Sequence, residues 1–141
     1  MRTKIVLALP CALAIAACGG GGHSPTEPTS LATFATLLVC QGGTPTLKDA
    51  KLLVDGAVVA ETASTTPGLD FILVGQGTLA AGHHTLSVLI AAQTASPSSY
   101  TALAPDISIF DANGVRTNDI KLPDRSGNLA TGQSIDYTFD S

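Results

Sequence analysis

Two short apolar runs, Lys51-Leu-Leu-Val54 and Ala57-Val-Val-Ala60, are separated only by Asp55-Gly56, and this segment restricts the fold more than any other. Asp-Gly between apolar runs supplies the positive φ angles of a type I′ turn, whose twist matches that of the flanking strands. Residues 51–54 and 57–60 are therefore expected as paired antiparallel strands.

From Leu31 onward the rest of the chain carries the same punctuation. It has few Lys, Glu, Gln or Arg residues and no long 3.6-residue period, so short strands are expected and long helices are not. Leu31 to Val39 reads as a first strand that ends at Cys40, where Gly42-Gly43-Thr44-Pro45 breaks it. Thr65-Thr66-Pro67-Gly68 marks a turn, and Asp70 to Val74 a strand ended by Gly75 and Gly77. Leu86, Val88 and Ile90 alternate with Ser87 and Leu89, the pattern of a central core strand. Thr94 to Ser99 is a loop leading through Tyr100 to the strand Asp106 to Phe110, and Asp111-Ala-Asn-Gly114 turns the chain into Val115 to Leu122. Pro123 to Gly127 turns it again, and Gln133 to Asp140 closes with Ile135, Tyr137 and Phe139 on one face. Seven or eight strands at this spacing predict an all-β, antiparallel two-sheet β-sandwich, with a small open barrel as the alternative.

Within this pattern, Leu79 to Val88 (Leu-x-x-Gly-x-His-Thr-Leu-x-Val) resembles a segment of bacterial immunoglobulin-like and fibronectin type III-like domains. The resemblance spans about ten residues. It implies that Gly82 makes a turn and that His84-Thr85-Leu86 opens the next strand. The disulfide pair and tryptophan of antibody domains are missing, so the antibody branch is excluded while the wider sandwich class is not.

The first 30 residues have another character. Arg2 and Lys4 precede an apolar run from Ile5 to Ala17, 13 residues interrupted by Pro10 and Cys11. A spanning helix needs about 20 apolar residues, so this run reads as the core of an export signal. Ile15-Ala16-Ala17-Cys18 resembles the bacterial lipobox, in which an aliphatic and two small residues precede a cysteine that is acylated and exposed by cleavage. Pro10 before Cys11 suits an extended, protease-bound strand poorly, which leaves Cys18 as the processing site. That resemblance implies residues 1–17 as signal peptide and a lipid anchor, of the palmitate type, on Cys18. It also implies the outer membrane, because Gly19 stands where an aspartate favours inner-membrane retention. Gly19 to Ser30 is a Gly/Pro/Ser/Thr tether, so 18–30 links the anchor to a single domain over 31–141. A 12-residue tether has a root-mean-square span of roughly 20 Å and reaches about 40 Å when fully extended.

Two of the seven basic residues leave with the signal, so five face eleven acidic ones, a formal −6 with histidines neutral. Such a domain repels nucleic acid and anionic headgroups, so membrane contact is expected from the anchor rather than from a basic face. Tryptophan is absent and aromatics are few, which removes most stacking platforms for sugars or single strands. Cys40 is the one thiol left after processing and acylation, so no internal disulfide is expected.

Chemistry has few footholds. His83 and His84 are adjacent, and in a regular strand adjacent side chains point to opposite faces, so the pair cannot chelate one metal. One is expected exposed and the other half-packed at a strand entry. Gly-x-Ser-x-Gly is absent, and Ser, His and Asp occur in most sequences, so composition supports no nucleophilic triad. Cys40, at the end of an apolar strand, reads as a small core residue before it reads as a nucleophile. Asp111, Asn113 and Asp119 offer the hard oxygens calcium prefers, yet they lack the spacing and closing glutamate of an EF-hand. Asp and Asn before Gly are also what a hairpin turn requires.

The expectation is a lipid-anchored cell-envelope binding or assembly module without catalysis, metal or cofactor. Its working surface would be a sheet edge or the end loops Thr94 to Ser99 and Pro123 to Asn128. The rival is a small-ligand carrier, a calcium-binding domain or an enzyme using loops around His83, His84 and Asp111. A purely structural envelope protein is the third reading.

Overall fold

The structure is a computed structural model that describes residues 27–141. Ile15, Ala16, Ala17 and Cys18, and the expected tether as far as Thr26, lie outside the described residues. Nine strands follow in order: β1 (Thr29–Cys40), β2 (Leu47–Val54), β3 (Ala57–Gly68), β4 (Asp70–Ala80), β5 (His83–Gln93), β6 (Ser98–Phe110), β7 (Arg116–Lys121), β8 (Arg125–Leu129) and β9 (Ser134–Asp140). They form two antiparallel sheets packed face to face. The first has the order β4-β1-β6-β7, with β8 also on β6, and the second the order β3-β2-β5-β9. In the lettering of the immunoglobulin sandwich, β1 to β5 take the places of strands B, C, C′, E and F. β6 lies beside β1 where A would be, and β9 beside β5 where G would be.

Alternation explains most of the core. In β1, Ala32, Phe34, Thr36, Leu38 and Cys40 are buried, and the residues between them face outward. β5 buries His84, Leu86, Val88 and Ile90, while β9 buries Ile135, Tyr137 and Phe139. The expected hairpin at Asp55-Gly56 is present, with φ of 49° and 85° at its two central residues. Two irregularities let strands keep burying side chains where a strict period of two would fail. Leu47 and Ala50 are three apart yet both fully buried, and the pairing of β2 slips between Leu47 and Asp49 against both neighbours. In β6 the buried set changes from Tyr100 and Ala102 to Ile107 and Ile109. Between them β1 advances from Leu37 to Ala35 while β6 advances from Leu103 to Asp106, so one extra residue sits in β6. A bulge of this kind inverts the facing of every later residue, and here it brings both halves of β6 onto the core.

The bulge also divides the outer edge of β6. β7 pairs with Asp106 to Phe110, and β8 with Ser98 to Ala102. Between them Leu122 N–H donates to Pro105 O at 2.8 Å and Ala104 N–H to Asp124 Oδ1 at 2.7 Å. The segment Pro123 to Asn128, expected as turn and end loop, therefore contains most of an edge strand. The expected turn at Thr65 to Gly68 likewise moves: β3 runs on to Gly68 and the chain reverses at Leu69. Pro67 is tolerated there because β3 pairs on one side only.

Candidate functional site at the β1 entry end

One end of the sandwich gathers the start of β1, the turns β2–β3, β4–β5 and β6–β7, and the end of β9. Thr29 pairs with Ala80, Leu31 with both Thr78 and Phe110, and His83 with Asp140. At its centre is His84. Strand alternation turns His83 to solvent and His84 inward, where its side chain is 8% exposed. The His84 ring packs on Phe139, with centroids 5.3 Å apart.

Both ring nitrogens of His84 face oxygen acceptors. Nδ1 donates to Asp55 Oδ2 at 2.7 Å and Nε2 to Ala80 O at 2.8 Å, with Ser141 Oγ 3.1 Å away. Asp55 Oδ1 accepts Thr85 N–H at 2.9 Å. These partners assign a proton to each nitrogen. Burial works against the charge, but the bonds to Asp55 and Ala80, with the fields of Asp55 and Asp140, outweigh it and raise the His84 pKa above 6.5. The bond from His84 and that from Thr85 N–H hold Asp55 below 3.8.

Asp55, His84 and Ser141 thus stand in the order of a hydrolase triad without its chemistry. A general base needs a free lone pair toward the nucleophile. Here Nε2 is protonated toward a carbonyl, and Ser141 Oγ itself donates to the same Ala80 O at 2.7 Å. The arrangement is a clamp that ties the β2–β3 turn, the β4–β5 turn and Ser141 together. Ser141 N–H adds a bond to Gly82 O at 3.0 Å. Exposed His83 contacts exposed Asp140, a pairing that contributes little in water.

Two of the three calcium candidates, Asp111 and Asp119, have their side chains engaged. Asp111 Oδ1 accepts the N–H groups of Asn113 (2.8 Å) and Val115 (2.9 Å), which pull its pKa down and fix the β6–β7 turn. Asp119 lies on β7 opposite Ser108, accepts its hydroxyl at 2.9 Å, and contacts Lys121 at 3.2 Å and Arg116 at 3.5 Å. The Ser108 bond and the Lys121 ammonium lower its pKa. Among the described residues no group of three or more His, Cys, Asp or Glu side chains could hold a metal ion.

At the opposite end, buried Cys40 belongs to a polar chain that the sequence did not reveal. Its Sγ donates to Gly68 O at 3.4 Å and lies 3.5 Å from Thr46 Oγ1, which is 3.2 Å from the Tyr100 hydroxyl. Tyr100 donates to Gln93 Oε1, and Gln93 Nε2 to Leu129 O. The residues are up to 89 positions apart, and only the sandwich brings them together.

The outer face of the first sheet carries a shallow apolar groove of about 430 Å³, lined by residues including Leu37, Ile72 and Leu103 at the β6 bulge. Beside it Ile72 and Val74 are 67% and 63% exposed. A smaller cleft of about 170 Å³ lies where the chain enters β1, between Pro28, Leu79, Ala81, Ile109 and Ser141. No protein-family model, curated protein or solved structure matches the chain.

Proposed function

We propose that this chain is a lipid-anchored cell-envelope protein whose β-sandwich serves as a binding or assembly module and performs no chemistry of its own. The observation that carries the reading is the pattern Ile15-Ala16-Ala17-Cys18 followed by a polar tether that leads straight into β1. Two features support it. The nine strands from Thr29 to Asp140 pack around one hydrophobic core, as expected of a single cargo domain. Two of the titratable groups that chemistry would draw on are committed to structure: His84 to its two acceptors and Asp111 to its turn. Exposed Ile72 and Val74 fit a protein that meets a partner, because large apolar side chains grouped on a surface commonly mark interaction sites.

Growth of expressing cells with labelled palmitate, followed by fractionation and mass analysis, tests the anchor. Label is expected in the outer-membrane fraction for the parent and none for Cys18→Ser. A Cys18 peptide of unmodified mass, from protein recovered in the soluble fraction, contradicts it. Cross-linking in intact cells tests the second half. A reproducible protein partner supports a binding module, and the absence of any selective partner favours a purely structural role.

A further inference from the structure

We propose that the tether end of the sandwich is a membrane-contacting face, which seats the domain end-on against a neutral lipid surface. This rests on the anchor reading above. It goes further by naming which part of the fold meets the bilayer.

Three observations meet at that end. The chain enters the fold there, with Thr29 paired to Ala80, so 11 residues lead from Cys18 to the sheet and span about 40 Å at most. β1 is itself 12 residues long, roughly 40 Å, so a relaxed tether of about half that length holds this end nearer the anchor than the other. Next, the end displays isolated apolar side chains at strand ends and turns. Leu31 near the start of β1, Val58 at the start of β3 and Val115 in the β6–β7 turn are 45%, 52% and 59% exposed, and Ala57, Ala81 and Ala112 are exposed at the β2–β3, β4–β5 and β6–β7 turns of the same end. An in-plane amphipathic helix buries its apolar face roughly 5–10 Å into the headgroup boundary, and apolar side chains presented at the end of a sandwich reach the same layer.

Charge is the third. The domain is acidic overall, yet three of the four carboxylates at this end are engaged: Asp55 with His84, Asp140 with His83, and Asp111 with the N–H groups of its own turn, with Glu27 the fourth, just before β1. The His84 ring faces Asp55, and Arg116 sits beside the β6–β7 turn in contact with Asp119, so the negative charge of this end is partly opposed at its centre and at one turn. A zwitterionic interface fits that balance, and an anionic one would still be opposed by the remaining acidic surface.

The acylated full-length protein, purified from membranes and placed in phosphatidylcholine vesicles, allows a direct test. A fluorescent reporter is attached through Val115→Cys or Val58→Cys at the tether end, Leu69→Cys at the far end, or Ile72→Cys on the lateral face. Cys40 is buried and stays unlabelled. Spin-labelled lipids should quench the reporters at 115 and 58 at least threefold more than the one at 69. A reporter at Ala81→Cys should be quenched like those at 115 and 58, and should lose that quenching in a Val58→Ser, Val115→Ser double variant that keeps its melting temperature. Equal quenching at all positions, or the strongest at 72, overturns the end-on seat in favour of a free or side-on domain. Mass analysis separates the two levels: a chain without lipid fails the anchor reading, whereas an acylated, vesicle-bound chain with unquenched reporters at 58 and 115 fails only this inference.

Discussion

At the residue scale the His84–Asp55 pair gives the molecule a defined response to pH. The pKa of His84 is raised above 6.5 in the folded state, so its contribution is complete below pH 6.5 and is lost as pH rises through the folded value. That of Asp55 is lowered below 3.8, so its contribution is complete above pH 3.8 and is lost as pH falls through the folded value. The two overlap between about pH 4 and 6.5. Asp55→Asn tests this cleanly. Asn tolerates the positive φ of 49° and can still accept Thr85 N–H, but it removes the charge facing His84. A charge-assisted bond on a half-exposed carboxylate is worth about 1 kcal/mol. The variant should therefore melt roughly 4 °C below the parent at pH 5.5. The gap should close as pH climbs past the His84 pKa, and a gap unchanged from pH 5.5 to 9 would show that the pair is not the titrating element. The sequence showed that one of the two histidines had to point inward, because adjacent strand residues diverge. It did not show Asp55 as the partner, since the two are 29 positions apart and meet only through strand pairing.

At the element scale, the sandwich is closed on one side by β3 and β4, which belong to different sheets. Thr62 Oγ1 donates to Ile72 O at 2.8 Å, and a Cβ on Gly75 would fall well inside van der Waals contact with the Val59 carbonyl. At Gly77, two residues on, a Cβ would meet Val59 Cγ1 at 3.4 Å and Phe34 Cε2 at 3.5 Å, an ordinary contact. Gly75→Ala should cost about 3 kcal/mol, because backbone must move to admit the methyl. Gly77→Ala should lie within about 1 kcal/mol of the parent, since the gain in backbone rigidity offsets slight crowding. Urea melts of the two variants check this, and similar losses in both would mean that the strands separate freely. The same elements show what the sequence could carry. β1, β5, β9 and the Asp55-Gly56 hairpin were legible because each has an unbroken alternation or an unambiguous turn. β8 was not, because Arg-Ser-Gly-Asn-Leu129 has one buried apolar residue and little strand propensity, and its place is set by β6. The first half of β6 was obscured by its bulge, since an inverted period at Ala104 reads as two short segments with a connection between them.

At the scale of the whole molecule, the two sheets share one core and lack separable parts, so they should unfold together. β1 pairs with residues 51 and 79 positions away at its first turns, Thr29 with Ala80 and Leu31 with Phe110, and β2 to β5 interleave between those partners in sequence. Neither sheet can be drawn off without opening the other, because consecutive strands cross between them. The protein carries its own reporters for this, one tyrosine on each sheet: Tyr100 on β6 and Tyr137 on β9, both buried. In Tyr137→Phe the remaining fluorescence reads the first sheet, and in Tyr100→Phe the second. Tyr137→Phe should be the milder change, because its hydroxyl is buried without a hydrogen-bond partner among the described residues, whereas Tyr100→Phe strands Thr46 and Gln93 and should cost about 1–3 kcal/mol. Within each variant, the urea midpoint from tyrosine fluorescence should coincide with that from far-UV circular dichroism. Pairing at such long sequence separation also places refolding in the millisecond-to-second range of β-sandwiches rather than in microseconds. If one tyrosine changed at a urea concentration where the circular dichroism of that variant was still native, the sheets would be independent units.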